Sequence, residues 1–202
     1  MREQRFMLRA IGVGLMLSLL IVLAACNGKK NGGSKTATDD TEDVADSTVY
    51  GVCGDGTSMH SLELVTDAGD TLVYTILDSE ADFDGESTTD VSATTSVAGG
   101  LMAGDKMAVT GHKADGELIA DRVLNVTSLL GRWTSIDKNF EIEEGGTVKS
   151  SVKAETAPWT SWKILNGNLL LNRDTFTVNS LGADSMYIES NNGIFTFKRV
   201  KM

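Results

Sequence analysis

Cysteine, histidine and proline are nearly missing from this chain. Its 202 residues include two cysteines, two histidines and one proline, Pro158. Two cysteines, Cys26 and Cys53, rule out a disulfide framework. Two histidines, His60 and His112, offer no zinc pattern, because zinc sites present paired ligands at short spacing. Positive charge is scarce as well: 18 Lys and Arg stand against 28 Asp and Glu, a formal charge of −10. Nucleic acid needs a positive footprint, so nucleic-acid binding is excluded as a role. Convincing amphipathic helices are absent beyond the amino terminus. No cofactor motif is present, and neither a cofactor nor a metal is expected.

What is present begins with a targeting segment. Arg2, Arg5 and Arg9 precede an uncharged apolar run from Ala10 to Ala25, which is too short for a comfortable membrane span. A charged start, an apolar middle and small residues at the end make a secretory signal over residues 1–25. Leu23-Ala24-Ala25-Cys26 resembles the lipobox of bacterial lipoproteins. That resemblance implies acylation of the Cys26 thiol, cleavage before it and acylation of the new amino group. Several acyl chains on one residue give stable anchoring. Residue 27 is Asn rather than the Asp of inner-membrane retention, which leans towards the outer membrane. Asn27-Gly28-Lys29-Lys30 lacks the acids that follow the cysteine in surface-exported lipoproteins, which argues for facing the periplasm. Removal of residues 1–25 takes away three bases and one acid, leaving 177 residues and moving the formal charge to −12. With Cys26 lipidated, Cys53 has no disulfide partner.

Residues 26–48 are rich in Gly, Lys, Thr, Ser, Asp and Glu and read as a flexible acidic tether. Its run Asp39-Asp40-Thr41-Glu42-Asp43 reads as a solvated charge cluster. From Val49 onward, short alternating segments are divided by turn residues. Ser61–Val65 and Thr71–Ile76 flank Asp67-Ala68-Gly69-Asp70 as a hairpin. Met107–Thr110 and Glu117–Ala120 flank Lys113-Ala114-Asp115-Gly116, with Val123, Leu124 and Val126 continuing the strand. Asp78 to Thr95 is acidic and weakly patterned. The second half repeats the style from Thr134-Ser135-Ile136 to Ile194–Arg199, with turns at Gly145-Gly146, Asn166-Gly167 and Asn191-Asn192-Gly193. The expected fold is all-β, and barrels are favoured because closure removes exposed edges.

Gly131-Arg132-Trp133 resembles the Gly-x-Trp signature of the first strand of lipocalins and their calycin relatives. The closing Phe195-Thr196-Phe197-Lys198-Arg199 resembles the other end of that signature, where a late arginine lies over the tryptophan. Trp162-Lys163 followed by Asn166-Gly167 extends the likeness to short lipocalin-like lipoproteins of Bacteroides-type bacteria. The match covers Ser128 to Met202. It implies a lipocalin-like barrel over residues 128–202, with Gly131, Trp133 and Arg199 as structural signature. Lipocalins have eight strands in a longer chain, so a shorter or partly open barrel is expected. Gly99-Gly100 with Gly104–Val109 resembles small five-stranded OB-like barrels and implies a separate β domain over residues 49–127. One continuous sheet shared by both halves is the alternative.

Trp159, Trp162, Tyr187 and Phe197 are the candidate lining of an apolar pocket. They can equally be core, since aromatics dominate burial in small domains. Cys53, seven residues before His60, reads as a buried apolar thiol rather than a nucleophile, because nothing supplies an orienting third group. Asp82-Phe83-Asp84-Gly85-Glu86 and Asp55-Gly56 carry a faint suggestion of calcium, but the former lacks the ligands of a full loop. The sequence therefore implies a non-enzymatic envelope lipoprotein. Its expected partners are the membrane, through the anchor, and a small apolar or amphipathic ligand. The alternative is an assembly adaptor that binds only protein.

Overall fold

The computed structural model describes residues 45–78, 94–152 and 155–201. The signal, Cys26 and nearly all of the tether lie outside these residues, as does the Asp82–Glu86 segment. The described chain is all-β apart from one helical turn and one 3-10 turn, and it forms two sheets, each rolled into a barrel.

The first sheet contains β1 (Val49–Cys53), β2 (Ser61–Thr66), β3 (Thr71–Thr75), β4 (Ser96–Ala98), β5 (Lys106–Ala114) and β6 (Glu117–Asn125). Antiparallel pairing runs β3-β2-β1-β5-β6. A parallel pairing of β3 with β6, Tyr74 to Leu118 and Thr75 to Ile119, closes this ring of five strands, while β4 joins the outer edge of β6. The closed five-strand barrel agrees with the OB-like unit read from the sequence. Inside lie Cys53, Leu62, Leu64, Tyr74, Met107, Val109 and Val123, alternating with outward residues as the pleat requires.

β6 ends at Asn125, and a single turn of helix, α1 (Val126–Leu129), leads into the second barrel. Val126 is thus helical, not the continuation of a strand. The side chain of Asn125 explains the switch, since it accepts from the Ser128 amide and caps the helix.

The second sheet has eight strands: β7 (Gly131–Thr134), β8 (Asn139–Ile142), β9 (Val148–Ser150), β10 (Trp162–Leu165), β11 (Asn168–Leu171), β12 (Asp174–Leu181), β13 (Ser185–Ser190) and β14 (Gly193–Arg199). Their order is β10-β11-β12-β13-β14-β7-β8-β9, all antiparallel. Between β9 and β10 the ring is joined by one bridge, Thr147 with Ser161, and by Val148 N–H donating to Thr160 O. The barrel is short, as expected, yet it keeps eight strands, because several are only three or four residues long. Thr134-Ser135-Ile136 is not a strand throughout: β7 stops at Thr134, and Ile136 sits fully exposed in the turn.

Candidate functional site

One end of the second barrel is built around Trp133. Alternation on β7 turns Trp133 inward, where it is fully buried and donates through Nε1 to Leu129 O at 2.9 Å. The β14–β7 register pairs Arg199 with Trp133. That places the guanidinium 4.1 Å from the centre of the indole ring. Its nitrogens donate to Ala183 O at 2.7 Å, Leu130 O at 2.7 Å and Ser128 O. Arg199 therefore seals this end and ties the last turn of α1 to β14. Partial burial pulls its pKa down while Asp184 opposes the shift, and arginine remains charged all the same. Gly131 follows from the same geometry. Its φ of +116° suits glycine, and a Cβ there would come within 2.8 Å of Arg199 Nη1.

The interior is occupied by the protein's own side chains. Trp133, Phe140, Trp159, Phe176 and Phe197 are all buried in one apolar cluster with leucines, isoleucines and Met186. Trp159 meets Phe140 edge-on at 5.1 Å and Phe176 at 5.6 Å, and Phe140 meets Phe197 at 5.1 Å. The four residues offered as a pocket do not face one cavity. Trp159 and Phe197 touch in the core, with rings 6.3 Å apart. Trp162 is half-buried at the β9–β10 seam, donating to Glu143 O at 2.7 Å. Tyr187 points outward and is 41 % exposed, as its place between buried Met186 and Ile188 requires.

At the barrel end away from Gly131, the structure assembles a polar cluster that no sequence motif announces. Lys138, the residue just before β8, donates through Nζ to Glu155 Oε1 and lies 4.5 Å from the centre of the Trp159 ring. Ser150, the last residue of β9, bonds Glu155 Oε2 at 2.5 Å. The Lys138 hydrogen bond first, and that of Ser150 next, hold the Glu155 carboxyl below the usual range, with burial opposing. Lys138 and Glu155 are 17 positions apart with β8 and β9 between them, and no periodic pattern links them.

A surface groove of about 610 Å³ runs between the Thr134–Asp137 turn and β14, lined by Ile136, Ile194, Phe195, Lys198 and their neighbours. None of the four candidate pocket residues lines it. Cys53 is buried, with its thiol 3.3 Å from Thr57 Oγ1, whereas exposed His60 pairs with Asp78 at 3.3 Å. The two are not a nucleophile–base pair. His112 is exposed beside Asp121 at 2.7 Å. Asp55 and Gly56 lie in an exposed turn, and Gly56 N–H donates to Glu63. Among the described residues no three His, Cys, Asp or Glu side chains converge as metal ligands.

Residues 125–200 match the lipocalin-like family. A lipocalin-like domain therefore occupies this part of the chain, beginning at the asparagine that caps α1. No curated protein and no solved structure matches the chain.

Proposed function

We propose that this chain is a lipid-anchored protein of the bacterial envelope whose lipocalin-like domain is a non-catalytic binding module. The observation that carries the reading is the barrel over residues 125–200, sealed at one end by Arg199 on Trp133 and rich in aromatics within. Fold alone does not license function. Ligand sites do, however, favour the mouths of β-barrels, and one sealed end leaves the other for exchange. The ligand class is small and apolar or amphipathic, and its entry requires the side chains now filling the barrel to move. The anchor reading rests on Leu23-Ala24-Ala25-Cys26, and Asn27 with Gly28-Lys29-Lys30 behind it favours the outer membrane and its periplasmic face.

The filled interior favours a second reading, an adaptor that binds envelope proteins by its outer surface alone. Titration with an apolar fluorescent probe separates the two. Saturable one-to-one binding tighter than about 10 μM, or about −7 kcal/mol, with quenching of tryptophan emission supports the module. Absence of any saturable binding supports the adaptor. For the anchor, metabolic labelling with a fatty-acid analogue is expected to mark the wild type and not Cys26→Ala. Equal labelling of both would remove it.

A further inference from the structure

β14 is paired along its length on one side only. Towards β13 the ladder runs without a shift from Gly193 with Ser190 to Lys198 with Ser185. Towards β7 it holds two pairs, Lys198 with Thr134 and Arg199 with Trp133. There β7 stops and the chain turns away, Ser135 N–H donating to Lys138 O. Successive residues of an antiparallel strand aim their main-chain groups at opposite neighbours. The end of β14 fixes which residue faces which way: Arg199 N–H donates to Asp184 O on the β13 side, and Val200 N–H to Arg132 O on the β7 side. Counting back, Phe195 and Phe197 bond β13, whereas Ile194 and Thr196 turn N–H and C=O to the open side. Among the described residues no main-chain group answers them.

This open edge is one bank of the groove whose other bank is the Thr134–Asp137 turn. Ile194 and Ile136 stand exposed on the two banks, and Phe195 is partly buried with its ring 5.8 Å from Phe176. Natural sheets blunt a bare edge with proline, lysine or a bulge. The open stretch Gly193–Phe197 has none of the three.

We propose that the edge of β14 at Ile194–Thr196 is a docking site for an extended segment of another protein, which joins the sheet as an antiparallel strand in line with β7. Main-chain groups alternating along an edge are matched by another extended backbone, the basis of strand addition as a mode of peptide recognition. The added strand continues the β7–β14 ladder past Thr134 and sets one side chain opposite Phe195, with the next ones on the face of Ile194 and Thr196. A second copy of this chain is a poor occupant, since each copy carries a formal charge of −10 and like charge opposes pairing. The same charge favours a segment whose apolar residues are flanked by basic ones. The edge owes nothing to the barrel interior, so it serves whether that interior opens for a ligand or stays filled.

Amide hydrogen exchange of the full chain, read by nuclear magnetic resonance with and without the peptide acetyl-Lys-Thr-Val-Thr-Val-Thr-Lys-amide, tests this. In the free chain Phe195 and Phe197 should be protected, while Ile194 and Thr196 exchange fast. Saturating peptide should slow Ile194 and Thr196 by about tenfold or more, and an analogue N-methylated throughout should bind about tenfold more weakly, the scale of one or two hydrogen bonds. Thr196→Pro removes a donor from the open edge and none from the β13 ladder, and it should weaken the peptide by about tenfold. Near-ultraviolet dichroism reports whether it folds. Should it not, Ile194→Lys places a charge on the same edge and should weaken the peptide likewise. Equal binding of the two peptides, or no binding by the folded wild type, would overturn the docking edge. Protection of Ile194 and Thr196 in the free chain would also overturn it, in favour of a segment of the chain itself, or of a second copy where protection rises together with sedimentation as a dimer.

Discussion

Arg199 performs three tasks with one planar group. It covers an indole face, satisfies carbonyls at Ser128 and Leu130, and reaches Ala183 on the β12–β13 side. A lysine has one nitrogen for these positions, so Arg199→Lys is expected to destabilise the protein by about 1–3 kcal/mol. Trp133→Ala is a large-to-small change at a fully buried site, with an expected cost of about 3–5 kcal/mol in urea unfolding. A loss under about 1 kcal/mol would contradict this role. Glu155 supplies a pH-dependent prediction. Its carboxyl is lowered by Lys138 and Ser150. Its contribution to stability is therefore complete above the ordinary glutamate range and is lost as pH falls through the lowered value. Acidification to below the ordinary glutamate range should release the pair and change Trp159 emission, and Glu155→Gln should lack that step. An identical acid transition in the variant would place the change elsewhere.

At the scale of elements, the Asn166-Gly167 turn between β10 and β11 is one of the joins between the barrels. Arg122 on β6 donates to Asn168 Oδ1 at 2.7 Å and Gly167 O at 3.4 Å, and Tyr50 on β1 donates to Ile164 O at 2.9 Å. A Cβ at Gly167 would come within 2.9 Å of Arg122 Cδ. Arg122→Ala should therefore cost about 1–3 kcal/mol. Arg132→Ala breaks a half-exposed pair with Glu141 and should cost about 0–1 kcal/mol. Equal effects of the two in denaturant titrations would show that the Arg122 contacts are no stronger than a surface pair. Turns of this kind were legible, since Asn-Gly and Asp-Gly announce their backbone, and so were the alternating hairpins they join. Less legible were places where one residue type serves two ends. Val126 reads as strand until the capping role of Asn125 is known, and Ile136 reads as strand although it tips a turn. Tyr187 could have been placed outside from Met186 and Ile188 on either side. Lys138 and Glu155 could not have been found, because two strands separate them and neither lies on a strand whose alternation would have placed it.

The molecule as a whole joins its two barrels through an apolar seam. Met107, Ala108, Val109 and Thr110 on β5 are buried without alternation, which is how a strand covered on both faces reads. Met107 and Val109 face the first barrel's interior, while Ala108 joins Ala98 and Leu124 in the cluster that holds Trp133 and Leu181. Asn125, fully buried between them, donates to Gly99 O, Gly100 O and Asp105 Oδ2 and caps α1. Residues 43–202 accordingly form one compact unit. The chain carries its own reporters for a test of cooperativity. All three tryptophans, Trp133, Trp159 and Trp162, lie in the second barrel, and the buried thiol of Cys53 lies in the first. In urea, with Cys26 acylated or replaced by alanine, tryptophan emission follows the second barrel and labelling of Cys53 by a thiol reagent follows the first. A single cooperative unit requires the two curves to coincide. Coincident midpoints are expected, because opening either barrel strips cover from the seam and from Asn125. Cys53 becoming reactive well below the tryptophan midpoint, or well above it, would show two barrels that unfold independently.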